Sequence, residues 1–181
     1  MSASPQRIRY TNGMMTQAPV APEEYLKMAF EGVDREFVDG ELVERSMPTL
    51  LHGRTQVRLG YLFEKARERY PVWAASEVRH VLDPQRLYRI PDVAVYAGTL
   101  PAKDYPDTPP LVAIEIASPD DRLSETLKKF AEYRKWGVEH VWLIDPDERA
   151  FFLYDATGLH PVDALHLPQY ELTIRLADLG L

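Results

Sequence analysis

Residues 90–96 read IPDVAVY and residues 111–121 read LVAIEIASPDD, and these two apolar runs decide the fold. Each run carries one acid that a buried strand has no packing reason to contain: Asp92 near the start of the first and Glu115 in the middle of the second. The residues around Glu115 are otherwise apolar, which is typical of a strand covered on both faces. An ionised carboxylate there costs several kcal/mol unless a cation or hydrogen-bond donors meet it. The pattern therefore predicts two carboxylates that converge on a hard divalent cation such as Mg²⁺.

The composition indicates a soluble protein of one domain. The chain has 181 residues, of which 45% are hydrophobic and 27% charged, values that are ordinary for a globular protein with a buried core. Its apolar runs fall well short of the roughly 18 residues that a membrane span needs, and the first residues lack the apolar segment of a signal peptide. The sequence contains no cysteine, which excludes disulfides and thiolate metal sites. We therefore expect a cytoplasmic protein with no membrane partner.

The net charge limits the ways in which this protein could bind nucleic acid. Its formal value at pH 7 is −7, whereas proteins that hold long stretches of nucleic acid usually carry a basic surface. Any such binding would have to use a local basic patch, a metal ion or an assembly of subunits. The charge therefore counts against a simple DNA-binding module, and less against an enzyme whose metal ions supply positive charge.

The N-terminal third of the chain carries the signals of a tail, a hairpin and two helices. Residues 1–20 show no sustained period, so we expect a flexible tail followed by one domain over residues 21–181. Pro22 favours the first turn of a short helix, and Asp39-Gly40 separates two strand-like runs, as in a tight hairpin. A second helix is predicted over residues 50–69. Its expected inward face consists of Leu51, Val57, Leu59, Leu62 and Ala66.

The rest of the chain alternates strands with one further helix. The predicted strands cover residues 72–81, 89–96, 110–117, 140–144, 150–154 and 170–175. Residues 118–121 supply a turn and the cap of a helix that ends at Gly137, so the strands before and after this helix should be parallel. Hairpins on either side make the sheet mixed. The predicted class is α/β, with a mixed central β-sheet flanked by helices and additional N- and C-terminal strands. The sequence has neither GxGxxG nor GxxxxGK[ST], which argues against a nucleotide-binding loop.

Pro91-Asp92 followed by Glu115-Ile116-Ala117 resembles the sparse motif of the PD-(D/E)xK nuclease superfamily. The similarity continues in seven ordered segments: PEEYLKM (22–28), REFVDGELVE (35–44), LLHGR (50–54), IPDVAVY (90–96), VAIEIASPDD (112–121), LKKFAEYRKWGV (127–138) and HVWLIDP (140–146). Together they resemble the Uma-two family of restriction-endonuclease-like proteins over about residues 22–155. The acid pair alone would be a weak signal, whereas the ordered set with its spacings is fairly specific.

The resemblance implies a restriction-endonuclease-like core and metal-dependent hydrolysis of DNA phosphodiester bonds. Asp92 and Glu115 would hold Mg²⁺ or Mn²⁺, with the Ile116 carbonyl as a further oxygen ligand. The metal would polarise the phosphate and lower the pKa of the attacking water. Cleavage of both strands would be easiest for a homodimer or a higher homo-oligomer.

One position departs from the motif. The usual lysine lies two residues after the glutamate, on the same face of the strand, and Ala117 stands there. The family resemblance suggests a substitute in the following helix, where Lys129 lies four residues before Tyr133. At about 100° per residue, Lys128 points away from the predicted inward stripe, and Lys129 lies on its flank, from where a long side chain reaches the strands. That stripe consists of Leu123, Leu127, Phe130 and Gly137.

Each candidate residue also has a purely structural interpretation. Asp92 could be a strand-start residue, and Glu115 could belong to a buried salt bridge with Lys129 as its partner. Lys129 alone is most often a solvated helix charge. Glu36 matches an acid in the family's hairpin and could approach the metal, but an exposed place on the sheet is equally open. His52 matches a family histidine and could contact phosphate or transfer a proton, or it could pack at the start of its helix.

Three classes of function stay open from the sequence. The first, which we favour, is a metal-dependent endonuclease that acts on DNA. The second is a catalytically inactive nuclease-fold module that binds nucleic acid or a protein partner, and the third is an enzyme of different chemistry on the same scaffold. A metal-binding measurement separates the first from the second. Product analysis on DNA, RNA and small phosphoesters separates the first from the third.

Overall fold

A computed structural model describes residues 20–181, which contain four α-helices and twelve strands. The helices are α1 (Pro22–Tyr25), α2 (Leu50–Arg67), α3 (Leu123–Trp136) and α4 (Leu176–Leu179), with a 3₁₀ turn at Pro168–Tyr170. The strands are β1 (Glu36–Val38), β2 (Glu41–Val43), β3 (Val72–Ser76), β4 (His80–Asp83), β5 (Leu87–Arg89), β6 (Val93–Ala97), β7 (Val112–Ile116), β8 (His140–Asp145), β9 (Ala150–Asp155), β10 (Gly158–Val162), β11 (Leu165–Leu167) and β12 (Leu172–Ile174). The predicted tail over residues 1–20 lies outside the described residues, apart from Val20, whose N–H donates to the Gly40 carbonyl at 3.0 Å.

Three sheets share these strands. The largest has six strands in the order β10-β9-β8-β7-β6-β3, a second has the order β2-β1-β5-β4, and β11 pairs with β12. Strands β7 and β8, which flank α3, are parallel, and their register places Glu115 opposite Leu143. The neighbouring pairs β6–β7 and β8–β9 are antiparallel. The predicted parallel crossover and mixed central sheet are therefore confirmed. Within residues 20–181, no helix is long and apolar enough to cross a membrane.

The two faces of the six-stranded sheet are covered by different helices. Ile114 belongs to the same buried apolar cluster as Leu59 of α2, whereas Ala113 packs with Phe130 of α3. Because side chains alternate along a strand, Glu115 lies on the same face as Ala113 and points toward α3. The apolar sequence of β7 thus buries the strand on both sides and directs its one acid at a helix.

Turn chemistry fixes several boundaries. Asp39 and Gly40 have φ angles of 51° and 90°, which is the conformation that a type I′ hairpin requires at both central residues. Gly137 ends α3 with a φ of 115°, where a residue with a side chain would be strained. The predicted cap of α3 is wrong: Arg122 occupies the N-cap position and makes no side-chain capping bond. Asp121 instead closes the preceding turn by accepting the Ser118 N–H at 2.7 Å.

The predicted inward faces of the two long helices need correction. Val57 of α2 is 72% exposed and Leu123 of α3 is 57% exposed. Phe63 and Tyr133 are buried instead. The apolar residues on these helices do not follow one clean period, so an angle count alone placed the stripes a fraction of a turn away from the packed faces.

Two segments predicted as single strands each divide between the two larger sheets. Residues 72–81 form β3 in the six-stranded sheet and β4 in the four-stranded one, with Glu77 between them at a φ of 58°. Residues 89–96 divide into β5 and β6, on either side of Ile90, Pro91 and Asp92. Proline has no N–H to continue a strand ladder. The chain therefore changes sheets immediately before Asp92, and that acid lies where the two sheets meet.

Candidate active site

The junction between the two sheets collects all five side chains that the sequence singled out. Asp92 lies immediately before β6, Glu115 lies on β7 and Glu36 on β1, while Lys129 comes from α3 and His52 from the first turn of α2. The Lys129 ammonium is central, because its Nζ lies 2.8 Å from Glu36 Oε1 and 2.8 Å from Glu115 Oε2. It also donates to the Ile90 carbonyl at 3.1 Å. Two sheets and a helix thus meet at one buried cluster of charge.

Asp92 is 4% exposed and fully supplied with donors. Its Oδ1 accepts from Arg45 Nη2 at 2.8 Å, and its Oδ2 accepts the Ile116 N–H at 2.7 Å. His52 Nε2 lies 3.3 Å from the same Oδ2. Burial by itself raises the pKa of Asp92, but the His52 hydrogen bond and the charges of Lys129 and Arg45 outweigh it and hold the pKa below its usual range. Asp92 is therefore an anion at neutral pH.

His52 is buried against Asp92 at the start of α2. Its backbone N–H donates to the Thr49 hydroxyl at 3.1 Å, which caps the helix. Burial lowers the pKa of His52, but the hydrogen bond to Asp92 and its charge raise it further, so the net shift is upward. Within residues 20–181 the Nδ1 atom has no hydrogen-bond partner. The imidazole thus both packs in the helix start and stabilises the Asp92 carboxylate.

The pKa of Glu115 is shifted in the opposite direction to that of Asp92. Its Oε2 accepts from Lys129, and its Oε1 accepts the Tyr133 hydroxyl at 2.9 Å. Burial raises the pKa of Glu115 to about 8, and the carboxylates of Asp92 and Glu36 act in the same direction against the attraction of Lys129. Burial and the neighbouring carboxylates therefore outweigh the one ammonium group that contacts Glu115.

Glu36 is 3% exposed, so the exposed-sheet interpretation of this residue is wrong. Besides Lys129, it accepts from Arg89 Nη1 at 2.6 Å and from the Ile90 N–H at 2.8 Å. Burial opposes ionisation, but Lys129 and Arg89 outweigh it and lower the pKa of Glu36 to about 2. The sequence could not show this, because Arg89 belongs to a strand that is distant along the chain and pairs with β1.

Lys129 lies in the same cleft as Ala117, the residue at the motif-lysine position. Ala117 lies beside Glu115 on the wall of a cleft that Lys129 also lines, and the long side chain reaches the Glu115 carboxylate from the helix. The attraction of Glu115 and Glu36 outweighs burial and raises the pKa of Lys129, which keeps the ammonium charged. Lys128, its neighbour in sequence, is exposed.

Several residues of the cluster were not candidates from the sequence. They are Arg45, Gln56, Glu77, Arg89 and Glu132, together with Tyr133, which had served only as a marker beside Lys129. Tyr133 could have been found, since it lies four residues after Lys129 on the same helix face. The others come from segments whose proximity depends on the sheet junction.

A cleft of about 320 Å³ opens beside the cluster. Glu36, Glu115 and Lys129 line it, together with Asp120, Asp121, Arg122 and Glu125. Asp92 does not line it. The cleft therefore gives access to Glu115 and Lys129.

The donor set can be tested against a divalent metal. Within residues 20–181, no group of three or more His, Asp or Glu side chains is placed to hold a metal ion. Mg²⁺ often takes only one or two protein carboxylates and fills its shell with water and substrate phosphate. Asp92 and Glu115 satisfy that requirement in number and hardness, and a cation would relieve the raised pKa of Glu115. Their oxygens are engaged by Arg45, Lys129 and Tyr133, so the pair fits a metal only if one of these groups moves.

Comparisons with known proteins agree with this architecture. The Uma2 family, described as "Putative restriction endonuclease", matches residues 22–175. A crystal structure from Anabaena variabilis ATCC 29413, described as a "putative nuclease belonging to DUF820", has a TM-score of 0.76 and 24% sequence identity, and the match covers 89% of this chain and 97% of that chain. At that identity the similarity shows a shared fold. No curated protein matches the chain. Because the family match spans most of the sequence and includes every residue of the cluster, the chain belongs to the Uma2 family.

Proposed function

We propose that this protein is a divalent-metal-dependent endonuclease that hydrolyses phosphodiester bonds in DNA, with Mg²⁺ or Mn²⁺ as its cofactor. The family description supports the nuclease class. The observation that carries the proposal is the Lys129 ammonium at 2.8 Å from Glu115. This ammonium group comes from a helix, and it replaces the lysine that the motif places on the strand, where this chain has Ala117.

Asp92, Glu115 and the Ile116 carbonyl are the proposed metal ligands. The metal, when bound, polarises the phosphate and makes water more acidic. Ile116 already contributes to the geometry through its N–H, which fixes Asp92 Oδ2. Asp92, just before β6, is therefore fixed by the backbone of β7, the strand that carries Glu115.

The remaining residues orient the reacting groups and balance the charge around them. Lys129 orients the attacking water and offsets the negative charge that develops on the phosphate. Glu36 holds Lys129 in place, because its carboxylate is ionised and anchored by Arg89 and the Ile90 N–H. His52 orients Asp92, since its Nε2 is directed at that carboxylate and its ring is buried.

A thermal-shift measurement tests the metal site. Mn²⁺ or Mg²⁺ at saturating concentration should raise the melting temperature of the wild type, because a ligand that binds only the folded state stabilises it. Asp92→Ala should abolish that shift, whereas Asp147→Ala, at an exposed acid in the β8–β9 turn, should retain it. The same shift in wild type and Asp92→Ala would refute the proposed ligands.

A second candidate function has its own observation. Asp92 and Glu115 are both engaged by protein donors, as in a structural ion-pair network that keeps a nuclease fold without its catalysis. Such a protein would be a binding module for nucleic acid or a protein partner. It would show no metal-induced stabilisation and no cleavage products from DNA, RNA or small phosphoesters.

The proposal extends to assembly and location. Cleavage of both DNA strands is simplest for a symmetric homodimer that presents two sites, and we place the protein in the cytoplasm with DNA as its partner. Sedimentation velocity tests the assembly. We expect a species of twice the chain mass, and a monomer at assay concentrations would contradict the proposed homodimer.

A further inference from the structure

We infer that Arg45 is a built-in cation on Asp92 that a divalent metal has to displace, so that this one residue sets the metal affinity of the site. The inference rests on the proposed metal-dependent function and adds to it a residue that controls occupancy of the site.

Arg45 holds the one oxygen of Asp92 that the backbone leaves available. The Ile116 N–H and His52 engage Oδ2, and Arg45 Nη2 takes Oδ1 at 2.8 Å. A metal that bridges Asp92 and Glu115 needs an oxygen of Asp92, and two cations on the same carboxylate oxygen repel each other at low dielectric. Binding of the metal and the Arg45–Asp92 contact therefore exclude each other.

The shape of the cleft agrees with this competition. The cleft is lined by Glu115 and Ile116 but not by Asp92, although Asp92 lies within hydrogen-bond reach of the Ile116 backbone. The Arg45 side chain is itself only 12% exposed. Arg45 does not line the cleft either, so the Arg45–Asp92 contact lies in the buried part of the cluster, whereas Glu115 faces the cleft.

A second acid, Glu77, remains as an ion-pair partner for the displaced guanidinium. Arg45 Nη1 pairs with the Glu77 carboxylate, whose side chain is 41% exposed. Gln56 donates to the other Glu77 oxygen at 3.0 Å and to the Asp92 carbonyl at 2.8 Å, which holds Glu77 next to the site. Arg45 can therefore leave Asp92 without losing both of its ion pairs, and the competition is reversible.

Isothermal titration calorimetry with Mn²⁺ on the full chain tests the inference. Arg45→Gln should bind Mn²⁺ roughly tenfold more tightly than the wild type, which corresponds to about 1.4 kcal/mol. Arg69→Gln is the matched control, because Arg69 pairs with Glu171 and neither residue lines the cleft, and its affinity should equal that of the wild type. A second readout is the melting temperature: Arg45→Gln should melt below the wild type without metal, since it leaves Asp92 short of a partner, and the gap should close in saturating Mn²⁺.

The outcomes separate this inference from the proposed function. Equal or weaker Mn²⁺ binding by Arg45→Gln, with clear binding by the wild type, overturns the role of Arg45 and leaves the metal site intact. Absence of Mn²⁺ binding in both proteins overturns the metal site and the inference with it. If Arg45→Gln does not fold, Arg45→Lys replaces it, because a point charge cannot bridge Asp92 and Glu77 as the guanidinium fork does. That variant should also bind Mn²⁺ more tightly, and affinity equal to the wild type again overturns the inference.

Discussion

Glu36 and Glu115 are the same residue type, and each accepts from the same Lys129 ammonium at 2.8 Å. Their acidities nevertheless differ widely, because the pKa of Glu36 is lowered to about 2 and that of Glu115 is raised to about 8. Glu36 belongs to the four-stranded sheet and Glu115 to the six-stranded one. Each sheet thus brings one glutamate to the same cation, but the pKa of one is lowered and that of the other is raised.

The difference comes from the second partner of each acid. Glu36 also binds Arg89 at 2.6 Å and the Ile90 N–H at 2.8 Å, so its charge is fully met. Among residues 20–181, Glu115 has only the neutral Tyr133 hydroxyl as a hydrogen-bond donor besides Lys129, and it lies near two other carboxylates. Glu36 is therefore the acid that anchors Lys129, and Glu115 is the acid whose ionised form is disfavoured.

The largest effect is expected at Glu36. Glu36→Gln removes the ionised carboxylate that Lys129 and Arg89 share, and Glu115 and Glu132 each remain beside only one of the two cations, so the free energy of unfolding should fall by roughly 3–5 kcal/mol. Denaturation in urea measures this change. Glu41→Gln, at an exposed position in the same hairpin, should have little effect. A loss below about 1 kcal/mol for Glu36→Gln would remove the distinction between the two acids.

Lys129 should matter most for catalysis. In an assay of Mg²⁺- or Mn²⁺-dependent DNA cleavage, Lys129→Ala should reduce turnover about 10²-fold or more, the scale of one preorganised transition-state donor. Lys128→Ala, at an exposed site on the same helix, should change only the salt dependence of binding. Equal turnover in the wild type and both variants would show that α3 only covers the sheet.

The smallest effect is expected at Glu115 in the absence of metal. Glu115→Gln should be neutral or stabilising by about 1 kcal/mol at pH 7, because it removes a carboxyl whose ionised form is disfavoured. A loss of several kcal/mol would instead identify Glu115 as half of a structural ion pair.

The same variant gives a pH signature. Because the pKa of Glu115 is raised from 4.5 to about 8 in the folded protein, the native state holds a proton that the unfolded state releases between those values. The free energy of unfolding of the wild type should therefore decrease relative to Glu115→Gln as the pH rises from 4.5 to 8. Parallel stability curves for the two proteins would contradict the raised pKa.

The sequence predicts the parts of this site that follow local rules. Two apolar strands with one acid each, a helix that ends at glycine and a hairpin at Asp39-Gly40 are each specified by adjacent residues. From these came the parallel crossover, whereas the choice of Lys129 over Lys128 used the family resemblance together with helix geometry. The continuous apolar character of residues 72–81 and 89–96, in contrast, conceals the points where the chain passes from one sheet to the other.

The sequence could not predict the network of buried ion pairs that forms where the chain passes between the two sheets. Arg45 reaches Asp92 across 47 residues, and Arg89 reaches Glu36 across 53. Such contacts leave no local pattern, since each arginine by itself is consistent with a solvated surface charge. The burial of Glu36 was missed for the same reason: only the pairing of β1 with β5 places it inside.

A crystal structure of the protein soaked in Mn²⁺, with anomalous difference density, would show directly whether Asp92 and Glu115 hold the metal. We expect an anomalous peak between Asp92 and Glu115, with the Arg45 guanidinium withdrawn from Asp92 Oδ1 toward Glu77. Asp92 and Glu115 still bound to Arg45 and Lys129, with no anomalous peak between them at saturating Mn²⁺, would contradict this expectation.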